Sequence, residues 1–210
     1  MFGNSIMITK QLVYSFIFLM CVAFLNARRQ YVAILRVDNG QVWGNWHTEE
    51  FCPEGQFAFA YNMKIEGRLG GRRDDTSLNG IRLYCDTPEA ILAGNSITSG
   101  VGPWGDWHSS DTRCGRTGEF LTSFSLQVES KQGRGDDTAA NFVKFHCRGS
   151  FGEYELSQSP GHGFWGVFGR WSSSCPNGSA ICGLSTKIEP RQGRGDDTAL
   201  NDVIFYCCNM

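Results

Sequence analysis

Helical periodicity is sustained nowhere in this sequence. It contains no Cys-x-x-C pair, no His-Glu-x-x-His helix, no phosphate-cradling glycine loop and no Ser/His/Asp order. These absences set aside a zinc ribbon, a zincin protease, a P-loop enzyme and the common hydrolase triads. An excess of charge of one sign is missing too. The chain carries 19 Lys and Arg against 21 Asp and Glu, a formal net charge of −2. A nearly balanced surface speaks against nucleic acid, whose phosphates call for a clustered basic face. Past residue 27 no apolar run approaches the roughly 20 residues of a membrane helix, so no membrane span is expected.

Residues 1–27 read as a secretory signal peptide. They hold a lone positive charge at Lys10, an apolar stretch of fourteen residues from Leu12 to Leu25, and the polar exit Asn26-Ala27-Arg28-Arg29. Cleavage is placed after Ala27. It removes one Lys and no acid, moving the net charge from −2 to −3, and leaves residues 28–210 as a single exported domain. About 183 residues are enough for one sizeable core.

One heptad organises the rest. Gln132-Gly133-Arg134-Gly135-Asp136-Asp137-Thr138 recurs letter for letter as Gln192-Gly193-Arg194-Gly195-Asp196-Asp197-Thr198, and more loosely as Gly70-Gly71-Arg72-Arg73-Asp74-Asp75-Thr76. Each copy is followed by a strand-like run into a cysteine: Cys85, Cys147 and Cys207. Each is preceded by Trp43-Gly44-Asn45-Trp46, Trp104-Gly105-Asp106-Trp107 or the degenerate Trp165-Gly166-Val167-Phe168, for which Trp171 offers a rival alignment. Self-similarity at a fixed period decides an architecture before any local reading. The copies run over about 42–85, 103–147 and 164–208.

Of nine cysteines, Cys21 leaves with the signal and eight remain, which in an exported chain implies a disulfide framework. Cys52 stands as far from Cys85 as Cys114 from Cys147, and Cys175 from Cys207 one residue less. The repeat therefore pairs Cys52 with Cys85, Cys114 with Cys147 and Cys175 with Cys207, leaving Cys182 for Cys208; a swap between Cys207 and Cys208 stays open.

Strict alternation marks the strands. Tyr61/Met63/Ile65, Phe124/Leu126/Val128 and Leu184/Thr186/Ile188 point one way, and the runs end on Glu66, Glu129 and Glu189. Ile81/Leu83, Val143/Phe145 and Val203/Phe205 continue that inward face, while Arg82/Tyr84, Lys144/His146 and Ile204/Tyr206 face outward. With 26 Gly and short strands at regular intervals, the class is all-β. A unit of about 60 residues cannot bury both faces of its own sheet, so three must share one core.

Taken together, Trp-Gly-x-Trp, the alternating strand ending in Glu, and Gln-Gly-x-Gly-Asp-Asp-Thr before a strand into Cys resemble the vitelline membrane outer layer protein 1 family, from about Val42 to Cys208. The resemblance implies a β-prism of type I: three four-stranded Greek-key sheets about a pseudo-threefold axis, one sheet per repeat. It also implies a secreted protein of egg coats, mucosal fluids and other extracellular layers. Two departures stand out. Arg73 replaces the glycine of the other copies, with one extra residue between Glu66 and Asp75, and the third copy lacks a clean Trp-Gly-x-Trp. They bear on any site built on threefold equivalence, not on the fold.

The chemistry-bearing candidates are few. Asp74, Asp75, Asp136, Asp137, Asp196 and Asp197 read either as a carboxylate cluster at one end of the prism, accepting sugar hydroxyls or a cation, or as turn devices that cap backbone N–H groups. Recurrence once per structural unit favours the turn reading. Near-identical repeats also supply one environment three times, whereas a catalytic carboxylate pair needs two. Arg134-Gly135-Asp136 and Arg194-Gly195-Asp196 spell the integrin tripeptide, but both lie inside the repeat and the first copy breaks the string. The Trp-Gly-x-Trp pairs read as a sugar-stacking platform or, in preference, as plugs of the core. His47 and His108 read as surface residues. Asn177-Gly178-Ser179 is a glycosylation sequon in an exposed setting. No metal, no cofactor and no catalytic residue is expected. The expected function is a structural or barrier protein of an extracellular layer, with extracellular glycoproteins or a polysaccharide matrix as partners; a carbohydrate-binding module is the alternative, and a glycan-modifying enzyme a distant third.

Overall fold

Alternating side chains over eight to ten positions give a strand one face that can turn to a shared core, and this chain builds six such strands. In the computed structural model, which describes residues 29–67, 76–89, 95–129, 139–191 and 198–210, these six pair as three long antiparallel hairpins. The signal peptide assigned to residues 1–27 lies outside the described residues. The body from Tyr31 to Met210 holds fourteen strands and, among the described residues, no helix.

The first stretch supplies β1 (Ala33–Leu35), β2 (Asn45–Trp46), β3 (Glu50–Phe51), β4 (Phe57–Ile65), β5 (Leu78–Asp86) and β6 (Asn95–Ile97). The second supplies β7 (Asp106–Trp107), β8 (Thr112–Arg113), β9 (Phe120–Val128), β10 (Ala140–Gly149) and β11 (Gly152–Leu156). The last adds β12 (Val167–Phe168), β13 (Ser179–Ile188) and β14 (Leu200–Asn209). They form three sheets, ordered β6-β5-β4-β7, β11-β10-β9-β12 and β1-β14-β13-β2, with β8 continuing the β7 edge along β4 and β3 continuing the β2 edge along β13. In each sheet the outer strand returns beside the first strand of the hairpin, which is the Greek-key order. The architecture is a β-prism of type I.

The sheets are offset from the sequence repeats. One sheet per repeat is the expectation; instead each Trp-Gly-x-Trp strand crosses over to the hairpin of the preceding repeat. Thus β7 pairs with β4, β12 with β9, and β2 with β13. Because no repeat precedes the first, its outer strand and β1 complete the third sheet, and the circle closes.

The inner faces meet along the axis. Phe124 and Phe205 lie 4.7 Å apart, Phe145 and Phe205 5.2 Å, and Tyr61 and Phe145 4.7 Å between ring centroids, all fully buried. Such tilted and edge-to-face pairs add to area burial. Tyr61 keeps its hydroxyl satisfied by accepting the Gln158 N–H at 2.7 Å, and burial holds its pKa far above the ordinary range. The outward faces depart from expectation in the third sheet. Ile204 and Tyr206 are buried there, in a second cluster with Ala180, Cys182 and Cys208, and Tyr31 and Phe51 pack on Tyr206 at 5.0 and 5.1 Å.

Four disulfides tie the prism: Cys52–Cys85, Cys114–Cys147, Cys175–Cys207 and Cys182–Cys208. The first cysteine of each repeat hangs on the preceding sheet, where the N–H groups of Cys52, Cys114 and Cys175 donate to Cys182 O, Phe59 O and Thr122 O. Its partner lies in the next sheet. Three bridges therefore join neighbouring sheets in a ring rather than closing three autonomous ones, and Cys182–Cys208 alone lies within a sheet, across β13 and β14.

Candidate functional site

The six aspartates Asp74, Asp75, Asp136, Asp137, Asp196 and Asp197 lie outside the described residues, and so do both Arg-Gly-Asp strings. Their flanks do not. In the first and third copies the glutamate that ends the alternating strand accepts from the threonine that closes the heptad: Glu66 Oε2 takes the Thr76 hydroxyl at 2.7 Å and its N–H at 3.2 Å. Glu189 Oε2 takes the Thr198 hydroxyl at 2.6 Å and its N–H at 3.2 Å. The asparagine three residues on completes the clamp, with Asn79 Nδ2 donating to Thr76 Oγ1 at 2.6 Å and Asn201 Nδ2 to Thr198 Oγ1 at 2.7 Å. The Asn79 and Asn141 side-chain carbonyls then accept the N–H of Trp104 and Trp165. In the first copy glutamate, threonine and asparagine thus join the two ends of the heptad loop to the crossing strand. These residues act on the backbone.

The Trp-Gly-x-Trp aromatics are not buried in the core, although Phe168 of the third copy packs against its edge at Phe142. Trp43 and Trp46 are exposed and Trp104, Trp107, Trp165 and Phe168 half-buried. What the motif places is its glycine. Gly44, Gly105 and Gly166 have φ of 80°, 69° and 76°, and a Cβ on them would lie 2.4, 2.3 and 2.2 Å from the backbone of Ile188, Glu66 and Val128. Only a residue without a side chain lets the crossing strand come that close. A polar side chain then fastens the residue after the second aromatic: Asn62 Nδ2 donates to His108 O, Ser125 Oγ to Gly169 O and Ser185 Oγ to His47 O, at 2.7 to 3.0 Å. His47 and His108 are surface residues whose carbonyls, not rings, are the repeated feature.

The outer face of the second sheet carries a titratable cluster with no copy in the others. His146 stacks on Trp171 at 3.6 Å and 14°, and its Nδ1 lies 2.8 Å from Ser123 Oγ. Tyr84 and Tyr206 fill the corresponding place elsewhere. Glu153 accepts from Thr122 Oγ1 at 2.9 Å, Arg148 at 2.7 Å and Ser174 Oγ at 3.2 Å. Burial lowers the His146 pKa, partly opposed by Glu153 and Glu155 and assisted by Lys144. Burial alone would raise Glu153, and its hydrogen bonds from Thr122, Arg148 and Ser174 and the Arg148 charge outweigh that. Ser123 is buried under the stacked ring, so its hydroxyl presents no face to a substrate. The cluster fastens the 171–174 segment to the sheet. Among the described residues no group of three His, Cys, Asp or Glu is placed to hold a metal ion, and no helix is long and apolar enough to cross a membrane. Asn177 is exposed in the turn before β13.

The family model of vitelline membrane outer layer protein I matches residues 33–210. The chain belongs to that family. It is 46% identical over 183 residues to the human vitelline membrane outer layer protein 1 homolog, spanning 87% of this chain and 86% of that protein. To the mouse homolog it is 43% identical over 184 residues, spanning 88% and 87%. Among solved structures it resembles the Calystegia sepium agglutinin, with a TM-score of 0.52 at 16% identity over 87% of this chain and all of the agglutinin. At that identity the likeness is one of fold: this chain and the agglutinin share the prism architecture.

Sequence reasoning missed two features of this member of the family. The Glu–Thr–Asn clamp was visible as a spacing, since glutamate, threonine and asparagine recur in register. The Ser123–His146–Trp171 cluster left no signal, because its members come from three separate segments and none is repeated.

Proposed function

We propose that the chain is an exported, non-enzymatic structural component of an extracellular layer such as an egg coat or a mucosal fluid. The observation that supports it best is that repeated residues among those described are occupied in holding the prism. Glu66, Thr76 and Asn79 clamp the flanks of one heptad loop and Glu189, Thr198 and Asn201 those of another, the Trp-Gly glycines seat the crossing strands, and six cysteines bridge the sheets in a ring. Four disulfides suit an oxidising extracellular setting. Such a body resists unfolding in a medium without chaperones, which is what a permanent layer asks of its parts.

A second reading, carbohydrate binding, has its own observation. Trp46 presents an exposed indole between two clefts that also hold hydroxyl and charged groups. Its partners would be glycoproteins or a polysaccharide matrix. A retention assay separates the readings. Labelled protein is applied to an isolated mucus or egg-coat layer and washed at high salt. Retention that survives enzymatic removal of glycans supports assembly through protein contacts, and release on deglycosylation supports the carbohydrate reading. Complete wash-out from the untreated layer would sink both.

A further inference from the structure

The outer faces of the three sheets repeat one arrangement, and the third breaks it. Trp107 lies under Arg82, whose Cζ is 4.0 Å from the ring centroid, and Phe168 lies under Lys144 Nζ at 4.5 Å. Cations so placed cover the aromatic face. Arg82 pairs with Asn62 and Lys144 with Ser125; the residue paired with Ser185 in the third sheet is Ile204. The equivalent ring there is Trp46, 41% exposed, and among the described residues no cation lies over it.

Two clefts of about 440 Å³ each meet at Trp46 and His47. One is lined further by Arg36, Thr48, Glu49, Ser185 and Tyr206, the other by Asn45, Val101, Pro103 and Arg191. We infer that Trp46 is the stacking platform of a saccharide site, and that a neutral oligosaccharide lies along it from the Arg36 cleft to the Arg191 cleft. This deepens the carbohydrate reading above and rests on it. A pyranose offers an apolar C–H face ringed by hydroxyls. The indole supplies the flat apolar surface, and the hydroxyls, guanidinium and carboxylate around it match the rim as donors and acceptors. Arg36 and Glu49 offset one another within one cleft, so it exerts no net pull on an acidic sugar. Each volume falls in the range that encloses a small ligand. The wall is set before binding: His47 packs against Gly100, where a Cβ would come within 2.3 Å of the imidazole Cγ, and the His47 carbonyl is held by Ser185. A third cleft, of about 390 Å³ between Phe59 and Phe120, has less to offer, because Glu119 on its wall is taken by Tyr154 at 2.6 Å.

The test uses the secreted protein on an array of neutral hexose and N-acetylhexosamine oligosaccharides, alongside sulfated and uronate-bearing ones, with calorimetry on the best-bound neutral probe. Trp46→Ala should lose at least tenfold in affinity. So should Ile204→Lys, which keeps Trp46 and installs the cation that the second sheet carries. Trp107→Ala, already covered in the native protein, should bind as wild type does. A wild-type protein that binds no saccharide overturns the carbohydrate reading and this site with it. Binding that survives both Trp46→Ala and Ile204→Lys overturns the site alone, as does an equal loss in Trp107→Ala. Binding confined to the acidic glycans overturns the assignment of a neutral ligand.

Discussion

Thr198 shows how much one hydroxyl can hold. It donates to the buried carboxylate of Glu189 and accepts from Asn201, so Thr198→Val removes one donor and one acceptor from groups that water does not reach. The expected cost is about 1–3 kcal/mol, read from the urea midpoint; an unchanged midpoint would mean that the clamp is replaceable. His146 acts through its proton. Its folded pKa lies below the ordinary value because burial disfavours the charged ring. The unfolded chain therefore binds more protons, and stability is lost as pH falls below about 6.5. Glu153 has the opposite sense of charge and a lower window. Its lowered pKa gives stability above the usual carboxylate range that is lost as pH falls through it. Replacing His146 by Tyr, the residue of the other two sheets, should lessen the fall in midpoint between pH 7.5 and 5.5. Equal falls in wild type and variant would show that another group is responsible.

At the scale of the element, the crossing strand depends on its glycine. Gly166→Ala meets two costs, a left-handed backbone and a Cβ driven into the backbone of Val128. Gly55→Ala meets only the first, since its φ is 74° and nothing lies within 4 Å. The expected losses are about 2–4 kcal/mol for Gly166→Ala and about 1 kcal/mol for Gly55→Ala, measured by thermal and urea unfolding. Similar values for the pair would show that close approach contributes little and that Trp-Gly serves another purpose. The same element explains a misreading of the sequence. Trp-Gly-x-Trp looks like core because tryptophan is large and apolar. It lies at a sheet edge, though, where the sheet partner and not the axis decides exposure.

At the scale of the molecule, closure is the issue. Each disulfide of the ring spans 32 or 33 residues and joins two sheets, so each should contribute about 3–4 kcal/mol through the unfolded chain. Because the bridges cross between sheets, replacing Cys175 and Cys207 by Ala should lower the melting temperature of the whole prism in one calorimetric transition. Two resolved transitions would mean that the sheets unfold independently. Closure also depends on the segment ahead of the first repeat, because β1 completes the third sheet beside β14, where the repeats alone leave it one strand short.

The sequence by itself determined the strands, the repeat and the inner face, because these are local or periodic properties. Tyr61, Phe124 and Phe205 alternate with polar neighbours whatever they later meet, and cysteines at equal spacing pair alike in each copy. Which sheet a strand joins is not local. The tertiary structure decided that each Trp-Gly-x-Trp edge pairs with the preceding hairpin, since antiparallel pairing follows which edge is free in space and not which repeat a residue belongs to. From that offset follow the ring of inter-sheet disulfides and the indole left uncovered at Trp46. The sequence already sets Ile204 where the other copies have Arg82 and Lys144, but that this position borders the same cleft as the Trp46 ring was decided by the crossing of β2 to β13.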